Sequence, residues 1–484
     1  MNYGQFLHMI PEFYLVVILL AVFVVDFIEH RSEKKHDVLF AVTAALMIVL
    51  PVRIALMSEP TVAFGGLYVA SSAVNVMKVI LAFGTLIVII MAQPWIKKSA
   101  AKLEGEFYML IISTLLGMFI MMSSGNFLLF FLGLETASVP LACMVAFDRH
   151  RNDSAEGAAK YILVATFSSG VMLFGISFIY AATGTLYFDD VAAKIAASPL
   201  TIMGLVFFFS GLGFKISLVP FHFWTADTYE GAPTPVTGYL SVVSKGAAAF
   251  ALMTILMHAF GPLIEYWEYL LYIVIVLSIT IANLFAIRQS ELKRFMAFSS
   301  ISQAGYIMLA VIGASQTGMA SLMYYVLVYV VANMAVFTVI SAVENNGQCS
   351  TVNGQSLTSM RAYDGLYQTN PRLAFLMTLA LFSLAGIPPF AGMFSKFFVF
   401  MAAAQQGSFL AYFVVFVALV NTVVSLYYYL LIVKAMYINK TDTPLPTFRT
   451  ETMTRVALVL CTAGIALFGI CSCIYDWLFA ASAL

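Results

Sequence analysis

The stretch GLGFKISLVPFHFW, residues 211–224, lies in a long apolar segment and places a lysine, Lys215, close to the helix-breaking Pro220. A second apolar segment contains the similar stretch LAGIPPFAGMFSK at 384–396, which ends in Lys396. An ammonium group at membrane depth costs at least about 2.5 kcal/mol, and a broken helix frees backbone polar groups that lipid does not satisfy. Broken helices at corresponding positions of two halves indicate an ion path built from inverted repeats. The two stretches therefore predict a transport site.

The composition is typical of an integral membrane protein. Of the 484 residues, 62% are hydrophobic and only 10% are charged, whereas soluble domains contain roughly 25% charged residues. Apolar runs of helix length recur from end to end, which predicts one all-α polytopic membrane domain over residues 1–484. The first run, near 10–28, lacks a basic region before it and a small-residue cleavage site after it, so we expect a retained helix and not a signal peptide.

Apolar runs of about 18 residues or more predict about 14 transmembrane helices. They lie near 8–29, 37–57, 74–96, 106–123, 125–147, 155–182, 201–224, 234–258, 268–287, 294–313, 318–343, 371–402, 408–434 and 455–480. If spans four to eight form one unit (106–258) and spans nine to thirteen another (268–434), the interrupted spans, seven and twelve, are the fourth helix of each. Because each unit has an odd number of spans, the second enters the membrane from the opposite side. The sequence thus predicts two inverted five-helix repeats.

Lysine and arginine are concentrated in alternate loops. The loops after odd-numbered spans hold 17 of the 24 Lys and Arg residues, and the loops after even-numbered spans hold only Lys194. Cytoplasmic loops are enriched in these residues. The bias therefore predicts odd-numbered loops in the cytoplasm and both termini on the outer side.

Two further charges lie near the middle of apolar spans, Glu135 in the fifth and Lys245 in the eighth. Isolated charges are expensive at that depth, so we expect Glu135 to pair with Lys215. Burial lowers the pKa of a lysine by up to several units, and a nearby carboxylate raises it again. Movement of Glu135 would then switch the proton affinity of Lys215. The alternative is a static buried ion pair that fixes helix packing.

Two residues close to this pair are additional candidates. His222 lies two residues after Pro220 and is able to transfer a proton at neutral pH, although a lone histidine is also a common packing residue. Lys160, early in the sixth span, either connects Lys215 to the cytoplasm or extends its ammonium to the interface. Both alternatives stay open for each residue.

Charged residues near the ends of other spans are expected to reach water or the membrane interface. Glu12 lies close to the start of the first span, and Lys78 lies near the start of the third. A long side chain at such a position extends its charged end to the interface. Neither residue is expected to belong to the transport path.

The sequence indicates no redox, metal or nucleotide site in this chain. Its five cysteines form no CxxC pair, no His/Cys cluster has metal-ligand spacing, and no glycine-rich phosphate loop is present. The net charge of zero gives no indication of nucleic-acid binding.

Four strings in the chain resemble one membrane-protein family, the antiporter-like subunits of respiratory complex I and their relatives in multisubunit cation/proton antiporters. They are GLGFKISLVPFHFWTADTYEGAPTPV (211–236), SVVSKGAAAF (241–250), KRFMAFSSISQAGYIML (293–309) and SLAGIPPFAGMFSKFFV (383–399). In that family a glutamate of the fifth helix, lysines of the seventh and eighth, and a lysine or glutamate of the twelfth carry protons, and these match Glu135, Lys215, Lys245 and Lys396. Gln303 departs from the family, where histidine is frequent, and a glutamine there orders water without accepting a proton.

The resemblance implies a subunit that converts the free energy of NADH oxidation and quinone reduction into proton translocation. NADH, FMN, iron–sulfur clusters and quinone would be bound by partner subunits, which include an M-type neighbour and small membrane subunits in a bacterial inner membrane. Lys396 favours the subunit types with lysine in the twelfth helix over those with glutamate. The end of the chain after its fourteenth span favours the shorter of those types.

Two other functions are compatible with the sequence. A subunit of a multisubunit sodium/proton antiporter would exchange ions without NADH. A structural membrane scaffold would use its buried charges only to specify packing, so that their removal would leave pumping intact.

Overall fold

A computed structural model of the chain describes residues 3–28, 35–56, 59–346, 351–352, 355–441, 444–471 and 473–483. The described residues are almost entirely helical. The helices are α1 (Ile10–Ile28), α2 (Lys35–Ala55), α3 (Ser72–Ser99), α4 (Glu104–Met122), α5 (Phe127–Val145), α6 (Asn152–Thr183), α7 (Phe188–Lys194), α8 (Pro199–Ile216), α9 (Trp224–Gly231), α10 (Thr234–Tyr239), α11 (Lys245–His258), α12 (Ile264–Ile287), α13 (Leu292–Leu309), α14 (Gln316–Asn346), α15 (Leu366–Thr369), α16 (Pro371–Ala385), α17 (Ala391–Ala404), α18 (Phe409–Tyr437), α19 (Thr452–Ile470) and α20 (Cys473–Ala481). Two short antiparallel hairpins, β1 (Thr61–Ala63) with β2 (Tyr68–Ala70) and β3 (Thr351–Val352) with β4 (Gln355–Ser356), lie in loops.

The predicted membrane spans are confirmed as helices. Within the described ranges, 12 helices or joined helices are long and apolar enough to cross a membrane, and each corresponds to one predicted span. The two remaining predicted spans are α13, which is rich in serine, and the broken segment formed by α16 and α17. The all-α membrane architecture with about fourteen spans therefore agrees with the sequence prediction.

Three spans form the centre of the bundle. In the most apolar windows of α3, the α10–α11 segment and α14, 89%, 89% and 94% of the residues are buried, against 28–33% in α1, α2, α6, α18 and α19. The peripheral helices instead direct large apolar side chains outward, as expected where lipid or other membrane subunits cover the surface.

The seventh span breaks as predicted. Helix α8 ends at Ile216, and Ser217 adopts a left-handed φ of 66°. The amide of Leu218 donates back to the carbonyl oxygen of Gly213 at 2.8 Å, which closes the end of the helix. A side chain on Gly213 would lie 2.8 Å from the ring of Phe221. The chain becomes helical again only at α9, so Lys215 lies in the last turn before the break.

The twelfth span breaks on the other side of its lysine. Helix α16 ends at Ala385, Gly386 has a φ of 88°, and α17 begins at Ala391. A Cβ atom on Gly392 would lie only 1.6 Å from the carbonyl oxygen of Ser383. Lys396 therefore follows its break, whereas Lys215 precedes its own, and both are held where helix ends meet.

The eighth span contains an irregularity that the sequence did not predict. Residues Leu240–Ser244 between α10 and α11 form a π-helical segment. Single wide turns of this kind are rare and frequently occur at functional sites. Here the wide turn directly precedes Lys245.

Packing inside the two proposed repeats is similar. The first helix of each unit packs against the second, α4 against α5 and α12 against α13, and also against the last, α4 against α11 and α12 against α18. This arrangement is compatible with the unit boundaries 106–258 and 268–434, which remain a prediction together with their inverted orientation.

Helices α4 and α5 touch through their backbones. A Cβ atom on Gly117 would lie 2.3 Å from the amide nitrogen of Ala137, and one on Gly133 would lie 2.4 Å from that of Met121. Small residues allow this close approach of membrane helices. The contact fixes the part of α5 that carries Glu135.

We expect single cysteines at exposed loop positions to react from opposite faces of the membrane. In a chain whose native cysteines are replaced, Ala197 and Gln405 follow even-numbered spans and should react with an impermeant maleimide from outside. Ser99 and Ser290 follow odd-numbered spans and should react only in inverted vesicles. Reaction of the Ser290 and Gln405 sites from the same face would contradict the inverted arrangement.

Gly392→Ala should destabilise the second break. The new methyl group collides with the Ser383 carbonyl, so α16 and α17 must separate at a cost of about 1–3 kcal/mol. We expect less chain in the membrane and a lower Tm of the solubilised protein. Gly170→Ala is the matched control, because a Cβ atom there meets nothing within 4 Å. Equal stability of the two variants would contradict the tight packing at this break.

Candidate functional site

Lys215 is buried and is held by two hydroxyl groups. Its Nζ donates to Ser138 Oγ at 2.8 Å and to Tyr161 OH at 3.0 Å. Ser138 lies on α5 and Tyr161 on α6, so the lysine at the end of α8 connects these two helices. Neutral hydroxyls stabilise the ammonium by hydrogen bonding but do not neutralise its charge.

Glu135 does not form the direct ion pair with Lys215 that the sequence predicts. In the described part of the chain, its Oε1 instead accepts a hydrogen bond from Ser169 Oγ at 2.5 Å. Ser138, which contacts the lysine, lies three residues after Glu135 on the same face of α5, where side chains are about 5–6 Å apart at Cβ. The carboxylate is thus offset along α5 from the hydroxyl that contacts the ammonium.

Lys245, the first residue of α11, is also buried and bonded to a hydroxyl. Its Nζ donates to Ser300 Oγ at 2.7 Å and lies 5.4 Å from the ring centroid of Tyr229. The oxygen of Tyr229 is 3.3 Å from Ser300 Oγ. Lysine, serine and tyrosine therefore form one polar cluster between α11, α13 and α9.

A row of aromatic rings joins the first two lysines. The ring of Tyr161, which contacts Lys215, has its centroid 5.1 Å from that of Trp224, and Trp224 is 6.4 Å from Tyr229 beside Lys245. The Trp224 indole donates to the carbonyl oxygen of Phe214 at 3.2 Å, which fixes the middle ring. The two lysine clusters are thus neighbours across one indole.

Lys396, beside the second break, is also buried. Its Nζ donates to the carbonyl oxygen of Ala385 at 2.9 Å, a group freed by the helix break, and lies 4.9 Å from the ring centroid of Tyr306. Next to it is a cavity of about 10 Å³, close to the space that one water molecule occupies. Its polar lining consists of Gln303, Tyr325, Tyr329, Ser383, Ser395 and Lys396.

Gln303 lies between this cavity and the cluster of Lys245. Its amide nitrogen donates to the hydroxyl of Tyr429 at 3.2 Å, and its oxygen accepts from Tyr325. Tyr429 in turn is 2.6 Å from the hydroxyl of Ser299, the residue before the Ser300 partner of Lys245. Glutamine therefore joins hydroxyl groups at this point without a titratable side chain.

The two additional candidates occupy different surroundings. Lys160 is partly exposed and pairs with Glu156 and Asp227, each at 2.6 Å, while Arg294 joins the same network through Asp227 at 2.8 Å. His222 is buried within the first break, with its ring centroid 4.6 Å from that of Phe223. Lys160 directly precedes Tyr161, the partner of Lys215, in sequence. This partly exposed group of charges, the charged rim, is therefore joined to the buried site through neighbouring residues of α6.

Sequence reasoning missed the hydroxyl residues of the site. Tyr161 and Tyr429 look like packing residues in apolar helices, and Tyr429 belongs to a tyrosine run that suggested only packing or an interfacial belt. Tyr229 lies in the short segment WTADTYEG after the first break, where no charge pattern singles it out. The spacing of polar residues on α13 was the available signal. Ser299 and Gln303 are four residues apart, which places them on one helix face.

The expectation for Glu12 and Lys78 is wrong. Instead of reaching the interface, they form a buried ion pair, with Lys78 Nζ 2.6 Å from Glu12 Oε1 and side chains that are 0% and 4% exposed. The hairpin that contains β1 and β2 covers them, a contact that position along a span does not reveal.

No group of three or more His, Cys, Asp or Glu side chains within the described ranges is arranged to hold a metal ion.

Comparison with known proteins gives consistent matches over the whole chain. Residues 124–424 match the transmembrane family described as NADH:quinone oxidoreductase/Mrp antiporter. NADH-quinone oxidoreductase subunit N of Phocaeicola vulgatus is 54% identical over 99% of both chains, and that of Azobacteroides pseudotrichonymphae is 48% identical over 99% of this chain and 98% of the relative.

Solved structures show the same fold. A chain of respiratory complex I from Thermus thermophilus with bound aureothin aligns with a TM-score of 0.78 and 30% identity, covering 95% of this chain and 96% of the other. A chain of the Mrp complex from Dietzia has a TM-score of 0.84 at 20% identity, over 99% and 97% of the two chains, and shares the fold alone. The chain therefore belongs to the NADH:quinone oxidoreductase/Mrp antiporter membrane family and, within it, to the subunit N group of NADH-quinone oxidoreductases.

Proposed function

We propose that this chain is a proton-translocating membrane subunit of an NADH-quinone oxidoreductase and that its buried lysines carry the protons. The observation that supports this most is the series Lys215, Lys245 and Lys396. Each is at most 4% exposed, and in the described ranges none forms an ion pair with a carboxylate. Apolar residues would fill a purely structural position at lower cost, so the ammonium groups point to transport.

The partly exposed network of Lys160 and Asp227 is the proposed entrance. A proton that reaches this rim is one residue from Tyr161, whose hydroxyl contacts Lys215. The free amine of Lys215 accepts the proton, and the resulting ammonium is stabilised by the two hydroxyls. His222, within the same break, is a second proposed acceptor on this side.

Transfer from Lys215 to Lys245 must pass the ring of Trp224. The rings of Tyr161 and Tyr229 both pack against it, so a small movement of the indole or entry of water connects the two clusters. From Lys245 the hydroxyl groups of α13 lead through Tyr429 and Gln303 to the cavity beside Lys396. Gln303 orients donors and acceptors there but does not itself change protonation state.

Glu135 is the proposed switch. When its carboxylate replaces Ser138 beside Lys215, the opposite charge favours the ammonium, and when it returns to Ser169, Lys215 releases its proton more readily. Glu135 is only half-buried, and its neighbours Leu132 and Val139 are exposed. This face is suited to contact another membrane subunit, which would couple the position of Glu135 to events outside the chain.

The remaining parts of the assembly follow from the same proposal. NADH, FMN, iron–sulfur clusters and quinone are bound by partner subunits, and the membrane partners are an M-type neighbour and small subunits. The chain lies in the bacterial inner membrane with both termini outside, the orientation that the Lys and Arg bias supports.

A sodium/proton antiporter subunit is the second candidate function. The Mrp chain supports it by fold only, at 20% identity. Lys396 argues against it, because the antiporter relatives resemble the subunit type with glutamate at this position. The two functions differ in whether transport depends on NADH.

Lys215→Ala and Lys396→Ala should slow NADH-dependent quinone reduction by native membranes, although neither residue is a redox group. In a tightly coupled complex, the redox step does not finish when the proton step linked to it is blocked. Loss of one positioned acid–base group predicts a decrease of at least about tenfold. Lys194→Ala, at the exposed end of α7, is the control and should retain the normal rate at an equal amount of assembled complex.

The antiporter alternative predicts another result for the same variants. Sodium-dependent proton exchange would disappear while NADH-quinone activity stayed normal. That combination would overturn the proposed function.

Glu135→Gln should slow proton pumping without preventing assembly. The amide oxygen still accepts the hydrogen bond from Ser169, but the side chain no longer provides a negative charge to Lys215. The rate of NADH-driven proton uptake, followed with a pH-sensitive dye in vesicles, should fall sharply. Glu106→Gln, at an exposed position on α4, serves as the control. A normal rate of proton uptake in assembled Glu135→Gln would show that the carboxylate has a structural role only.

A further inference from the structure

The buried pair of Glu12 and Lys78 lies outside both proposed repeats and outside the lysine series. Glu12 is on α1 and Lys78 is on α3, and their charged atoms are 2.6 Å apart with almost no exposure. Replacing a buried ion pair by apolar residues is often neutral or stabilising. Stability alone therefore gives no reason for two charges at this place.

A third titratable group connects both members of the pair. Tyr68, on β2, donates its hydroxyl proton to Glu12 Oε2 at 2.9 Å and accepts from Lys78 Nζ at 3.1 Å. Its strand is held by the bond from the amide of Val69 to the carbonyl oxygen of Ser123 at 2.8 Å. The three groups thus form a continuous hydrogen-bonded chain that is capable of moving a proton.

Tyr68 also borders a cavity that opens to the surface. The cavity has a volume of about 420 Å³, and its polar lining consists of His8, Glu59, Thr61, Tyr68 and Asn75. It lies among the loop after the second span and the ends of α1 and α3. This is the face whose loops are poor in lysine and arginine, the predicted outer face.

On the inner side, polar groups continue along α3 toward the centre of the bundle. Thr85 is seven residues from Lys78, two helical turns away on the same face. It lies beside the hydroxyl of Tyr239, which accepts from Thr114 at 2.7 Å. Tyr239 ends α10, the helix that leads through the wide turn to Lys245.

One apolar layer separates the two polar groups. Met118 Sδ is 3.9 Å from the Tyr239 hydroxyl, and the ring centroid of its neighbour Phe119 is 5.6 Å from Lys78 Nζ. The α3 column therefore consists of an inner hydroxyl cluster, this layer, the buried ion pair and the open cavity. A layer of this kind keeps the two sides of a transport path from opening together.

We propose that Glu12, Tyr68 and Lys78 form a further proton-exchange site of the transport reaction, through which protons leave for the cavity at the outer face. The inference rests on the proposed proton-translocating function. The ammonium of Lys78 gives a proton to the oxygen of Tyr68 while the hydroxyl proton of Tyr68 passes to the Glu12 carboxylate, leaving a neutral amine and a neutral acid. Tyr68, which lines the cavity, then passes its hydroxyl proton to water there while it takes up the proton of Glu12, and the Glu12 carboxylate is restored. The Lys78 amine then receives its next proton from the Tyr239 side.

Lys78→Arg, assayed in the complete complex in native membranes, separates this role from packing. A guanidinium keeps the positive charge beside Glu12 but does not release a proton in a protein. We expect NADH-driven proton transfer to slow at least about tenfold at an equal amount of assembled complex. Lys102→Arg, at an exposed position, is the control and should behave as the unmodified chain.

Tyr68→Phe provides the second variant, because it keeps the ring packing and removes only the hydroxyl that joins the pair to the cavity. If the larger arginine prevents assembly of the complex, Tyr68→Phe alone tests the inference. We expect NADH-driven proton transfer to slow in this variant by a similar factor. A normal rate in assembled Lys78→Arg or Tyr68→Phe would overturn the inference. If Lys215→Ala still abolishes transport in that case, the proposed function stands and only this site is rejected; if Lys215→Ala is also normal, the proposed function fails as well.

Discussion

The hydrogen bonds that hold three ammonium groups in the apolar interior are the interactions on which the rest of this structure depends. A buried charge without an opposite charge must be stabilised by dipoles, and this chain supplies them as hydroxyls and freed carbonyls. Lys215 is held by Ser138 and Tyr161, Lys245 by Ser300, and Lys396 by the carbonyl of Ala385. The helix breaks are therefore part of the solvation of the lysines and not only sites of bending.

These hydrogen bonds also place the irregular backbone. Unpaired backbone groups are tolerated at membrane depth only where protein or water satisfies them. The end of α16 meets this condition because Lys396 donates a hydrogen bond to the Ala385 carbonyl oxygen. The end of α8 meets it because the Trp224 indole donates to the Phe214 carbonyl oxygen. Each break is thus satisfied by a side chain that also belongs to the candidate site, which ties local helix ends to the path between them.

The sequence was sufficient for the membrane architecture and for the charged members of the site, because hydropathy, proline and glycine act locally. Lys215 and Lys396 stand out since each is a charge beside a helix breaker. The partners of those charges were not predictable in the same way. An argument from charge alone pairs Glu135 with Lys215. In the structure, hydroxyls on α5 and α6 accept hydrogen bonds from the lysine instead, although a hydroxyl attracts an ammonium less strongly than a carboxylate does. Glu12 and Lys78 were misplaced because their burial depends on a hairpin some fifty residues from Glu12 in sequence, and span ends carry no information about such a cover.

The backbone contact between α4 and α5 has a consequence for timing. With Gly117 and Gly133 interlocked, α5 does not slide along α4. The two helices move only together, as one rigid unit. In the proposed switch, the carboxylate of Glu135 therefore reaches Lys215 by rotation about its own side-chain bonds. Rotamer changes take picoseconds to nanoseconds, whereas displacement of packed helices takes microseconds to milliseconds. In that proposal, the rearrangement of charge is faster than the movement of packed helices, and the slow step of coupling is the larger motion that decides which rotamer is favoured.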